Sequence, residues 1–167
     1  MEQREKLNPS FSWLNTTQFM GAMNDNIFKL LVTFFLIRNL GETHADRLTA
    51  IGGILFALPF LLLTPAGGIL ADRHSKQRIT LITRIAEIVI MVIACGVFLS
   101  GSTNGAFAVL FLMSAQSAFF GPSKYGLIPE LVKPHQLSKA NSYLVLMTYL
   151  AIIAGTVFLV RHFGGPA

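Results

Sequence analysis

Charge is the scarcest commodity in this sequence. Only 13% of its 167 residues are Asp, Glu, Lys or Arg, where a soluble globular domain carries about 25%. Instead, 53% of the residues are hydrophobic and mean hydropathy is +0.59, which places the chain in the membrane class. Cysteine is nearly absent: Cys95, inside an apolar run, is the only one, so a disulfide framework and a paired-thiol metal site are both excluded. His44, His74, His135 and His162 lack metal-ligand spacing. No glycine-rich phosphate loop or nucleophile motif occurs. The expectation is therefore no metal, no cofactor and no enzymatic activity. A net charge of +5 is modest, and the basic residues fall at the ends of apolar runs, which argues against a nucleic-acid partner. Residues 1–10 lack the short apolar core and small-residue cut site of a cleavable signal, so the first apolar segment is expected to be retained.

What the chain has is long hydrophobic runs. A membrane-crossing helix needs about 20 mostly apolar residues. Stretches near 11–37, 48–71, 79–99, 104–120 and 141–160 meet or approach that length. The fourth is short but could extend through Pro122. Gly101, Ser102, Thr103 and Asn104 read as a tight turn between the third and fourth. The expected fold is all-α: a polytopic membrane bundle of about five transmembrane helices.

Lys and Arg mark the cytoplasmic loops of membrane proteins. An inside N-terminus collects Arg4, Lys6, Arg73, Lys76, Arg78, Lys124, Lys133 and Lys139 on the inner side, against Arg38, Arg47 and Arg161 outside. The N-terminus is thus expected in the cytoplasm. Large transporters are commonly built from halves of six helices. Five helices leave such a half incomplete, so the chain is expected to be part of a longer protein whose C-terminal half is missing here.

Four charges lie inside the apolar runs: Asp25 and Lys29 in the first, Arg84 and Glu87 in the third. A charge at the bilayer centre costs about 2.5–3.5 kcal/mol on insertion scales, so such residues face a partner or a water-filled path. Asp25 and Lys29 are four apart on one helix face and can pair. They form either a cavity-facing pair that binds a coupling cation (Na+ or H+) or a polar headgroup, or an internal ion pair that eases insertion. Asn24 and Asn26 flank Asp25 and favour the first, because a segment that only crossed lipid would avoid so dense a polar patch. Gly21 nearby permits close helix approach. Arg84 and Glu87, three apart, read as a structural intramembrane pair near the inner face.

Residues 67–78 connect the second and third helices. Gly67 and Gly68 permit close contact, and Asp72 can cap a neighbouring helix or pair with a basic residue. Arg73, Lys76 and Arg78 serve as topology anchors. Further on, Pro122 and Pro129 with Gly121 and Gly126 predict a bend at the inner membrane surface. There Lys124 meets lipid phosphate and Tyr125 sits among the headgroups, either as a portal for an amphiphile or as ordinary anchoring.

Gly68, Leu70, Ala71, Asp72, Arg73 and Lys76 resemble the signature loop of the major facilitator superfamily, with Ser75 where that family has glycine. A narrower resemblance is carried by residues 18–26, by Gly121, Pro122, Lys124, Tyr125, Gly126 and Pro129, and by residues 137–141. These are similar to the bacterial lysophospholipid transporter family, whose members stand alone or are fused to an acyltransferase and an acyl-carrier-protein ligase. That likeness runs to about Val157; beyond it, Phe158, Leu159, Val160 and Arg161 replace the expected glycine-rich continuation. The resemblance implies a secondary carrier that moves lysophospholipid across the inner membrane by alternating access, among membrane lipids. In it, Asn24, Asp25, Asn26 and Lys29 would form the polar core, Gly68, Asp72, Arg73 and Lys76 the gating loop, and Lys124 a headgroup contact. The competing functions are an exporter of drugs or small amphiphiles, a membrane module of an acyltransferase, and a truncated chain without activity of its own.

Overall fold

The computed structural model describes residues 8–163. Arg4 and Lys6, counted above among the inner charges, and residues 164–167 of the tail lie outside the described residues. Five long helices carry the fold: α1 (Pro9–Leu40), α2 (Ala45–Arg73), α3 (Lys76–Leu99), α4 (Thr103–Leu131) and α5 (Leu137–Phe163). All five are long and apolar enough to cross a membrane. Short 3-10 turns at Glu42–His44 and Pro134–Gln136 precede α2 and α5.

Local chemistry sets the breaks. The Asn8 side chain accepts from Ser10 N at 3.0 Å and Pro9 opens α1, a position where a missing N–H has no consequence. Gly41, at φ 93°, ends α1 in a conformation that side chains disfavour. Gly101, at φ 68°, turns the chain between α3 and α4. Ser102 then caps α4 by accepting from Gly105 N at 3.1 Å.

No loop interrupts 122–131: α4 continues as helix through Pro122 and Pro129 to Leu131. Pro122 has no N–H to give the carbonyl of Ala118, four residues back. Gly67 of α2 lies against that carbonyl, so closely that a Cβ there would stand 3.2 Å from Ala118 O. Membrane helices tolerate proline where a neighbouring helix covers the freed backbone, and α2 does so here.

In the bundle, α4 packs against all four other helices and α1 against α2, α4 and α5. The outward stripe of α3, from Leu81 and Ile82 through Ile85, Ile88 and Val89 to Val92, is exposed and suits hydrocarbon. Two apolar clusters hold the two ends. One unites Phe28, Val32 and Leu36 with Ile90, Ala94 and Met113. The other joins Phe11 to Ile128, Val132, Ala140 and Leu144. Between them lies a polar level. Asp25, sixteen residues into α1, stands about 24 Å along a helix of about 48 Å, at its midpoint.

Candidate functional site

Successive helical residues turn by about 100°, so three consecutive polar residues of α1 reach three different helices. Asn24 Nδ2 donates to Glu87 Oε1 of α3 at 2.7 Å. Asp25 Oδ2 accepts from Ser117 Oγ of α4 at 2.8 Å. Asn26 Nδ2 donates to the Ile152 carbonyl at 3.0 Å and to Thr156 Oγ1 at 2.8 Å, both on α5. About two turns away, Gln18 Nε2 donates to Thr148 Oγ1 at 2.9 Å.

Asp25 and Lys29 share the expected face, yet among the described residues they form no ion pair. The Ser117 hydroxyl, itself accepting from Gln116 Nε2 at 3.0 Å, takes one Asp25 oxygen. The other, Oδ1, is buried and has no hydrogen-bond partner among the described residues. Lys29 places its ammonium 5.4 Å from the centroid of the Phe56 ring, an attraction between cation and ring quadrupole.

Arg84 and Glu87 do pair, at 2.5 Å between NH1 and Oε2. The Arg84 guanidinium also lies over Phe120, 4.0 Å from the ring centroid. It fills the space left by the missing side chain of Gly21, where a Cβ would collide with it. Glu87, accepting from both Arg84 and Asn24, lines a separate cleft with Met91 and Cys95.

Lys124 departs from the expected surface position. It is only 7% exposed, because α4 stays helical and carries it into the bundle. Its ammonium lies 4.6 Å from the Tyr125 centroid and 5.7 Å from that of Phe120. Tyr125 itself is exposed.

These side chains enclose a cavity of about 310 Å³, within the range of small-molecule sites. Asp25, Lys29, Arg84 and Lys124 supply its charges, three cations to one carboxylate; Phe56, Phe60 and Phe120 supply apolar wall. Asn26 also lines it, whereas Asn24 faces the separate cleft.

The connecting segment lies away from this cavity. Asp72 and Arg73 are exposed at the end of α2, and α3 begins after Ser75 without a side-chain cap, so Asp72 does not cap it. The close approach falls at Gly67, while Gly68 has open space where its Cβ would be. Lys76 crosses to α4: its ammonium pairs with Glu130 Oε1 at 2.5 Å, and its stem lies against Gly126. Glu130 was not among the residues singled out, although it sits in the same 121–131 segment. Ser117, with Ser114 and Gln116, is a readable polar interruption of the apolar run 106–120.

A helical membrane protein that crosses several times, with a cleft of mixed charge at mid-height between its spans, is the class that this arrangement defines. Residues 14–164 match the Major Facilitator Superfamily, and the chain belongs to it. Among curated proteins, it is 30% identical over 141 residues to "Lysophospholipid transporter LplT" of Photorhabdus laumondii, covering 84% of this chain and 33% of that protein. The protein of the same name from Serratia proteamaculans is 27% identical over 140 residues, covering 84% and 33%. That from Yersinia enterocolitica is 28% identical over 140 residues, covering 84% and 32%. The chain thus spans about a third of the length of these relatives. No solved structure matches it significantly.

Proposed function

We propose that this chain is the N-terminal part of a secondary carrier that moves a lysophospholipid, of the lysophosphatidylethanolamine kind, across the bacterial inner membrane by alternating access. The cavity carries the reading. Its aromatic wall suits the start of an acyl chain, Lys124 and Lys29 suit a phosphate, and the unpaired Asp25 Oδ1 suits an ammonium. The names of the relatives in Photorhabdus, Serratia and Yersinia support the same substrate. In this reading the N-terminus is cytoplasmic, a further half completes the transport path, and a cation, Na+ or H+, drives the cycle. Asp72 and Arg73 act in the inner gate, where their exposure leaves them open to residues of that further half. The carrier itself is not an enzyme; an acyltransferase fused to it would act on the delivered lipid.

Uptake of labelled lysophosphatidylethanolamine by vesicles containing the intact protein tests this. Uptake that unlabelled lysolipid suppresses and cationic drugs do not is the expected result. Suppression by drugs alone would replace the lipid with a drug-like amphiphile.

A further inference from the structure

We infer that Arg84 is a headgroup-contacting residue that selects for phosphate, with Glu87 and Asn24 as its positioning residues and Gly21 as the gap that admits it. This rests on the substrate reading above and assigns part of its selectivity to a pair that sequence alone reads as structural.

Four observations carry it. First, Arg84 lines the same cavity as Asp25 and Lys124, whereas its partner Glu87 lines another cleft. A pair serving only to neutralise two buried charges has no need to present the cation alone to the cavity. Second, Glu87 takes only one guanidinium nitrogen, NH1, and among the described residues the buried Nε has no hydrogen-bond partner. Arg carries five N–H donors in a fixed fork that matches phosphate oxygens, so donors remain beyond those Glu87 engages. Third, the guanidinium is held in plane from several sides: Phe120 lies 4.0 Å from it, Glu87 is anchored in turn by Asn24 at 2.7 Å, and α1 offers only backbone at Gly21. Such fixing lowers the ordering that binding otherwise requires. Fourth, the Lys124 ammonium lies 5.7 Å from the centroid of the same Phe120 ring. Both cations thus border Phe120 in the lining of one cavity.

Gly21 supplies an unusual handle. The atoms that an added Cβ would strike there all belong to the far end of the Arg84 side chain. Gly21→Ala should push the guanidinium aside while leaving the helix backbones in place.

The experiment measures binding of two amphiphiles, lysophosphatidylethanolamine and a monoacylglycerol of the same chain length, to the intact protein and to Arg84→Gln, Arg84→Lys, Glu87→Gln and Gly21→Ala. Wild type is expected to prefer the phosphate-bearing ligand. Arg84→Gln and Gly21→Ala should each lose about tenfold or more in affinity for it, with monoacylglycerol affinity unchanged. Arg84→Lys should recover part of the loss, Glu87→Gln should show a smaller one, and the Gly21→Ala, Arg84→Gln double variant should be no worse than either single one. Equal losses for both ligands would make Arg84 structural and overturn the inference, as would unaltered discrimination in Arg84→Gln and Gly21→Ala. A wild type that fails to discriminate would sink the substrate reading itself, and this inference with it.

Discussion

Asn26 of α1 and Thr156 of α5 are joined by a hydrogen bond of 2.8 Å, at a point where Gly155 brings the two helices into backbone contact: a Cβ on Gly155 would stand 3.1 Å from the carbonyl oxygen of Met23. Hydrophobic driving force between helices is weak in lipid, and small residues with a few hydrogen bonds hold them instead. Asn26→Leu is therefore expected to destabilise the folded protein by about 0.6–1.7 kcal/mol, from the average to the maximum found for interhelical hydrogen bonds in a membrane protein. Thermal unfolding in detergent measures it. No change would leave the α1–α5 association to packing and the Gln18–Thr148 bond.

Gly67 and Gly68 are neighbours with opposite surroundings. Gly68→Ala fills open space and removes a flexible residue from a helix, so it should stabilise by up to about 1 kcal/mol. Gly67→Val must displace the α4 backbone at Ala118 and Phe119, and is expected to destabilise by about 1–3 kcal/mol. The two melting temperatures should move in opposite directions.

Asp25→Asn retains an oxygen to accept from Ser117 while removing the charge. Under the proposed function, lysophosphatidylethanolamine uptake should fall at least about tenfold, with folding stability altered by no more than about 1 kcal/mol. A stability loss with normal uptake would return Asp25 to a structural role.

Lys76 and Glu130 are partly exposed, with side chains 27% and 52% accessible. Screening limits such pairs to about 0.2–1 kcal/mol. A double-mutant cycle with Lys76→Ala and Glu130→Ala should give a coupling in that range, shrinking as salt is raised. A coupling several times larger and insensitive to salt would mean that this end of the bundle is closed to water.

The helices were legible because lipid requires long uninterrupted apolar runs, and 79–99 or 141–160 fit no other element. The second half of α4 was not. Gly121, Pro122, Gly126 and Pro129 are turn residues by local rules, yet the helix runs on, with Gly67 of α2 packed against the carbonyl that Pro122 leaves free. Asp25 announced itself as an unlikely charge in an apolar span, but its partner lies 92 residues away, and no local spacing connects them. Local spacing favoured Lys29 instead, a neighbour that turned out to sit on Phe56. For Arg84 and Glu87, three apart on one helix, spacing and contact agree, while the cavity beside them required the fold.

The fan of bonds from Asn24, Asp25 and Asn26 to α3, α4 and α5 acts as a torsional lock. Spinning α1 about its own axis would break all three attachments together, so α1 is not free to turn in isolation. A movement that keeps these bonds carries α1, α3, α4 and α5 together as one piece.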